Sequence, residues 1–513
     1  VARGASWSVP RAAVLVTGLT LVSTLLGFVR DIVIAAVYGA GAALDAYWVA
    51  QGLMNILLGL VGYSMMRSVT PVVSREASGE DGTCRGHLGF NVALTVTVVV
   101  LGAGSVVMGI LAAPVASLIA PGFEGEAADL LQLLTRIILV TTVVVAATDL
   151  LAALSQAHGR FAFASLQGVP FNIIMIAAAG LFGPRYGITA LAVGFVAGSL
   201  ARLLLQIPPL VSLRIRIRPR WNLRDPGFRE IARLVPPMLV GNAVVNVNTL
   251  VDRAVASTLD EGAVSALAYG WRLVNLPQTL IVAALLVPLY PALSAAVKNR
   301  SEVRRLVARG LSVTVTVLVP VCLVIAIAAL PLVKVVFARG AFDSSDAAAT
   351  AAAVAWFTPA LLALGCRQVV VSTSYAVGDS KAPVVVAVGA MVINVVGDVL
   401  LAPVLGVGGI ALATSVSMLM AAAVNGWMLH YRYGGIDTAF VTALLGRAGG
   451  VGLAAGAAGL AVRELMGTQS AVVTGVAIAA AVCGVYALGL IALRAPERHL
   501  LAETLRAVRR KGR

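Results

Sequence analysis

The chain has 513 residues, 59% of them hydrophobic and only 12% charged, with a net charge of +15 and a mean hydropathy of +0.95. A soluble globular chain carries roughly 25% charged residues, so the composition excludes that class and points to a polytopic membrane protein. The basic residues sit in short segments between apolar runs, which is the positive-inside pattern of a membrane protein and not the footprint of nucleic-acid binding.

About 20 apolar residues cross a bilayer as a helix, and a helix satisfies its own backbone hydrogen bonds there. The apolar runs do not alternate as barrel strands would. An all-α fold follows, with fourteen transmembrane helices over 12–37, 44–71, 88–113, 127–154, 161–182, 187–210, 232–257, 263–295, 306–336, 347–376, 383–404, 408–429, 440–462 and 470–493. Arg3 and Arg11 precede the first run, which carries no persuasive cleavage site and reads as an uncleaved helix.

Cations follow the even-numbered spans: Arg75 and Arg85, Arg160, the arginines of 211–231, Lys298 to Arg309, Lys381, Arg432 and the tail from Arg494. The opposite connections hold Glu124, Glu126, Asp260, Glu261, Asp343 and Asp346. This bias places both termini in the cytoplasm. Cys84, Cys322, Cys366 and Cys483 are too far apart for a metal-ligand spacing or a disulfide framework. No phosphate-binding glycine loop and no catalytic His/Cys/Asp spacing is present, which argues against an ATP-driven pump or a membrane hydrolase.

Charge nevertheless enters the spans. The stretch from Thr20 to Asn55 carries Arg30, Asp31 and Asp45 among apolar residues, where an isolated charge costs roughly 2.5–3.5 kcal/mol at the helix centre. An echo follows from Leu250 to Pro277. Aligning Asp31 with Arg253 sets Ala46-Tyr47 on Ala268-Tyr269 and Arg30 against Asp252, an inverted charge pair. Asn172 then matches Asn394, and Gly187-Ile188 falls on Gly409-Ile410.

Six spans separate equivalent positions, an even number, so the copies form a parallel repeat, with the substrate site of such a transporter at the repeat interface. The organisation expected is an N-terminal lobe over 1–210, a basic linker over 211–231, a C-terminal lobe over 232–429, two added helices over 430–493 and a basic tail over 494–513. That tail reads as a helix on anionic headgroups or a partner site.

A second constellation lies in the C-terminal half. Asn394 and Asp398 are four residues apart and share a helix face. With Thr414 and Asp252 they offer hard oxygen ligands for a small cation. The alternative is that Asp252 pairs with Arg253 and that Asp398 is protonated or hydrogen-bonded between helices.

LLGFVRD (Leu25 to Asp31), GAGAALDAYWVAQGLMN (Gly39 to Asn55), APGF (Ala120 to Phe123), ALAYGWRLVNLP (Ala266 to Pro277), PALS (Pro291 to Ser294), FARGAFDSSDAA (Phe337 to Ala348) and YAVGDSKAPV with the following Asn394 together resemble the MurJ (MviN) family. Its members are lipid II flippases of the multidrug, oligosaccharidyl-lipid and polysaccharide exporter superfamily. The resemblance implies alternating-access transfer of an undecaprenyl-diphosphate-linked disaccharide pentapeptide across the bacterial cytoplasmic membrane, without covalent chemistry.

It also implies Arg30 and Arg272 as diphosphate ligands, for which a guanidinium suits bidentate contact. Asp45 stands where the family has an acidic residue, and Asp31 or Asp45 could instead hold Arg30 in an internal pair. Thr24 and Leu58 occupy places where the family has cations, and Arg67, Arg136, Arg202 and Arg367 are the charges at membrane depth that could compensate. Arg136 and Arg202 join the substrate-binding candidates.

For sodium, the resemblance implies Asp252, Asn394, Asp398, Thr414 and the Ile410 carbonyl; no other cofactor is expected. Helices thirteen and fourteen become a groove for the polyprenyl tail. The partners expected are the lipid-linked cell-wall precursor and membrane lipids, the chain being a monomer in contact with cell-wall synthesis proteins. The rival readings are a flippase for another polyprenyl-linked glycan and a multidrug-type cation antiporter of the same superfamily.

Overall fold

The computed structural model describes residues 9–77, 86–466 and 469–493. Arg3, Cys84, Arg85 and the basic tail from Arg494 lie outside the described residues. No strand occurs among those described. The long helices are α1 Val9–Tyr38, α2 Ala42–Arg75, α3 Gly86–Ile110, α4 Glu126–Ala157, α5 Phe161–Tyr186, α6 Ile188–Ser212, α7 Pro226–Ala256, α8 Ala263–Ala296, α9 Arg300–Ile327, α10 Ser344–Ala376, α11 Lys381–Leu405, α12 Val407–Tyr433, α13 Thr438–Leu465 and α14 Ala471–Ala492.

Twelve of them, all but α7 and α8, are apolar and long enough to cross a membrane. Helices α7 and α8 have 31 and 34 residues, and at about 1.5 Å per residue each exceeds the hydrocarbon thickness. The set is compatible with fourteen spans. Polar caps mark several starts: Asp225, Asn299, Asp437 and Ser470 each accept the N–H three residues on, and Asp343 with Asp346 forms a capping box.

Span nine departs from its expected run over 306–336. Helix α9 stops at Ile327, and a short helix, Ala329–Phe337, follows after Ala328. Pro331 explains the break, because it has no N–H to give the Ile327 carbonyl. The first half of the chain repeats the device: α3 stops at Ile110, and Ala112–Ile119 follows with Pro114 in its first turn.

The backbone also refines the repeat. Gly187 before α6 and Gly406 before α12 share one conformation, φ +60 and ψ −152 against φ +56 and ψ −135, a region open essentially to glycine alone. Gly187 therefore corresponds in conformation to Gly406 and not to Gly409.

Contacts divide the chain into two compact units, Val1–Val264 with Arg339–Phe342, and Ser265–Ala338 with Asp343–Arg513. In the first, α4 packs against α2, α3 and α6, and α7 packs against α2 and α3. Met65, Val69, Phe90, Leu150, Leu154 and Ile231 form its apolar core. In the second, α12 packs against both α10 and α11, and α9 against α10 and α13. Ile327, Val451, Ala455, Ile478 and Val482 join α13 and α14 to the end of α9.

Candidate functional site

Helix α1 runs as an apolar helix through Arg30 and Asp31. The pair is tolerated because protein groups replace water around it. Arg30 donates from Nε and Nη2 to Asp31 Oδ1, at 3.0 and 2.8 Å. Its Nη1 donates to Asn172 Oδ1 on α5 at 3.0 Å, and Asn172 Nδ2 donates back to the Ser23 carbonyl at 3.1 Å. These bonds use three of the five donors that a guanidinium carries. Asp31 is buried and Arg30 half-buried.

Beside this pair, α6 contributes Arg202. Its Nη2 lies 3.7 Å from Asp149 Oδ1 on α4, inside ion-pair range but beyond a hydrogen bond. The Arg202 Nε is buried without a hydrogen-bond partner. The two arginines meet at one ring: Arg30 Cζ is 5.7 Å and Arg202 Cζ 5.5 Å from the centroid of Phe171, both within cation–π range. Phe171 itself packs edge-on against Phe195 of α6 at 5.3 Å.

Thr24 and Leu58 stand where the resemblance implies cations. Thr24 is exposed and turns its hydroxyl to the Thr20 carbonyl, while Leu58 is buried where α2 opens into a π turn over Leu58–Gly62.

The other substrate-binding candidates separate from this cluster. Asp45 is buried, and its Oδ2 accepts the Gly262 N–H at 2.8 Å, tying the start of α2 to the turn before α8. Arg136 is exposed and donates from Nε to the Gly109 carbonyl at 3.3 Å, near the end of α3. Arg67 is exposed on α2. Arg272 is half-buried on α8 in the second unit, and Arg367 half-buried on α10 of that unit.

Four of the cation-site candidates gather in the second unit, all buried. Asn394 Nδ2 donates to Asp398 Oδ2 at 2.9 Å, and Thr414 donates to the Ile410 carbonyl at 3.1 Å. Ser417 links the two pairs, its hydroxyl lying 3.1 Å from Asn394 Oδ1 and 2.9 Å from the Thr414 carbonyl. Asp252 is on α7 in the first unit. Among the described residues no group of three or more His, Cys, Asp or Glu could hold a metal; the Asn394 set offers one carboxylate with amide, hydroxyl and carbonyl oxygens.

Sequence reasoning passed over Asp149, Phe171 and Ser417. Asp149 carried the same signal as Asp45, a lone carboxylate in an apolar span. Phe171 and Ser417 carried none, since an aromatic or hydroxyl residue is ordinary in such a helix.

Long apolar helices with charged groups held inside them by protein partners define a multi-span membrane transporter. A family model described as lipid II flippase MurJ matches residues 34–481. The probable lipid II flippase MurJ of Vibrio cholerae is 30% identical over 423 residues, covering 80% of this chain and 81% of its own. That of Synechocystis is 27% identical over 98% of this chain and 97% of its own. By these matches the chain belongs to the MurJ family. A solved structure of a lipid II flippase MurJ in an inward closed conformation shares the fold, with a TM-score of 0.77 at 20% identity, over 93% of this chain and all of that one. An inward-facing multidrug resistance MATE family transporter of the MOP superfamily is more distant in fold, at a TM-score of 0.63 and 15% identity, over 84% of this chain and 99% of that one.

Proposed function

We propose that this chain moves lipid II across the bacterial cytoplasmic membrane by alternating access, and that Arg30 and Arg202 of the first unit grip its diphosphate. The observation that carries the reading is Arg202: a guanidinium at membrane depth, balanced in charge by Asp149 yet short of hydrogen bonds, beside a second guanidinium with donors to spare. A diphosphate offers charge-assisted acceptors to the donors that Asp31, Asn172 and Asp149 leave unused. Phe171 sets the planes of the two groups, and Asp31 and Asp149 keep each cation balanced when no substrate is present. No bond of the substrate is made or broken.

Arg272 is the candidate cation of the second unit, and α13 with α14 offers the apolar surface for the polyprenyl tail. Both termini face the cytoplasm, as the distribution of basic loops indicates. Sodium is the candidate coupling ion, held in the second unit by Asp398, Asn394, Thr414 and the Ile410 carbonyl, all hard oxygen donors.

Binding of undecaprenyl diphosphate to the full chain in lipid nanodiscs tests the grip. Arg30→Ala and Arg202→Ala should each weaken it at least tenfold, since a hydrogen bond to a charged group contributes about 1.5–3 kcal/mol. Unchanged affinity in both variants would remove the diphosphate assignment.

A further inference from the structure

The connection from α6 to α7 carries Arg214, Arg216, Arg218, Arg220 and Arg224. Helix α6 closes with the Arg214 N–H donating to the Val211 carbonyl and the Ile215 N–H to the Leu210 carbonyl, both at 3.0 Å. The closure puts Arg214 at φ +54, and among the described residues it alone is a non-glycine with a positive φ. Glycine is the usual residue at such a helix end, so an arginine is kept where the backbone disfavours a side chain.

From there burial alternates. Ile215 and Ile217 are half-buried against the apolar core of the first unit, while Arg214, Arg216, Arg218 and Arg220 are exposed. Alternation of this kind sends side chains to opposite sides of an extended chain, which gathers the four guanidinium groups on the outer side. Helix α3 fixes the row in place: the Arg218 N–H donates to Asn91 Oδ1 at 3.3 Å, and the Arg220 N–H to Thr95 Oγ1 at 3.0 Å. Two residues of extended chain, about 6.6 Å, keep pace with four of helix, about 6 Å, so the segment runs along α3.

It runs toward the apolar part of that helix, whose exposed Val99 and Val100 lie one turn past Thr95. Trp221 and Leu223 follow in the segment, and both are exposed. Among the described residues none of the five arginines is in an ion pair: the adjacent Asp225 accepts the Phe228 N–H, and Glu230 pairs with Arg75. A guanidinium suits phosphate, an indole sits at the boundary between headgroups and hydrocarbon, and each cation near an anionic membrane surface adds to the attraction. We propose that residues 214–224 form a docking site for acidic phospholipids, with Arg214, Arg216, Arg218 and Arg220 on headgroup phosphates and Trp221 against the first acyl carbons. The level of Val99 and Val100 favours lipid over a soluble acidic partner, which reaches the arginines but not the edge of the apolar layer. The site is separate from the Arg30 and Arg202 cluster and does not depend on the cargo.

The test titrates the full chain in neutral detergent micelles with two probes, short-chain phosphatidylglycerol and short-chain phosphatidylcholine. Wild type should prefer phosphatidylglycerol by about tenfold or more, and the preference should shrink as salt is raised. Arg216→Gln alone should lower it several-fold, and Arg214→Gln, Arg216→Gln, Arg218→Gln and Arg220→Gln together should abolish it. Trp221→Ala should weaken both lipids alike. Lys298→Gln, Arg300→Gln, Arg305→Gln and Arg309→Gln together remove the same charge from exposed positions of the second unit and should leave the preference in place. Thermal midpoints without added lipid, equal to that of wild type, certify that the variants are folded.

A preference that survives the fourfold substitution in the first unit overturns the site. An equal loss in the second-unit variant also overturns it, since net charge and not this row would then attract the lipid. Glycerol 3-phosphate, the soluble counterpart of the headgroup, should not compete at equal concentration; full competition would make the row a site for free phosphate and overturn the lipid assignment.

Discussion

Arg202 and Asp149 face each other across 3.7 Å on neighbouring helices, near enough to balance charge and too far to share a proton donor. Such a pair leaves the cation neutralised and its hydrogen-bonding capacity unused. Removing Asp149 alone should therefore differ from removing Arg202. Asp149→Asn leaves a cation with no counter-ion in its resting state, so the diphosphate should bind more tightly and leave more slowly. Arg202→Ala should bind weakly. Dissociation rates of undecaprenyl diphosphate from the two variants check this, and equal behaviour would show that the pair is only structural.

The Asp45 contact makes a prediction about folding. Gly262 has φ +87, and a Cβ there would meet the Ala40 carbonyl, while its N–H is held by Asp45. Gly262→Ala meets both strain and crowding, at about 1–3 kcal/mol for the strained backbone. Asp45→Asn weakens a charge-assisted bond of about 1.5–3 kcal/mol. Both should lower the thermal midpoint of the purified chain, and both should retain the affinity for undecaprenyl diphosphate. A lost affinity in Asp45→Asn with an unchanged midpoint would return Asp45 to the substrate site.

Asp379, in the turn between α10 and α11, gives a pH-dependent prediction. The Ala382 N–H holds its carboxyl below the usual carboxylate range, the Arg432 guanidinium adds to the effect, and burial opposes it. Asp379 Oδ2 lies 3.0 Å from Arg432 Nη1. A depressed folded value means stability that is present above the unfolded pKa of about 3.9 and lost as pH falls through the folded value. Thermal midpoints followed downward from pH 6 should fall more steeply for wild type than for Asp379→Asn. Parallel curves would deny the coupling.

The second unit's oxygen cluster predicts an ion effect. Sodium should raise the thermal midpoint of wild type more than potassium does at equal ionic strength. Asp398→Asn should erase that difference, because a neutral amide cannot replace the one carboxylate of the set. A sodium-specific shift that persists in this variant would place the ion elsewhere.

Much of this architecture was legible in the chain itself. Helix positions followed from apolar runs of membrane length, and Arg30, Asp31 and Asp45 stood out because charge in such runs is costly. The Asn172 and Asn394 pair marked the repeat, and the structure gives each an ionisable neighbour, Arg30 for one and Asp398 for the other. What the sequence withheld were partnerships across distance. Asn172 reaches Arg30 over 142 positions, and no local pattern announces that contact. Arg202 was visible as a charge, but its role depends on Phe171 and Asp149, which come from two other helices. The break at Ala328 was available from Pro331 and was masked by the hydrophobicity around it. Gly406 was obscured by Gly409, since two nearby glycines look alike until one shows a positive φ.

The central claim is most directly tested in a bacterium depleted of its own lipid II flippase and supplied with this chain, by measuring how much lipid II becomes exposed on the outer face of the cytoplasmic membrane. The account predicts that wild type restores both exposure and growth, that Arg30→Ala and Arg202→Ala fail at equal expression, and that Arg136→Ala behaves as wild type. Full lipid II exposure with both Arg30 and Arg202 replaced would contradict it.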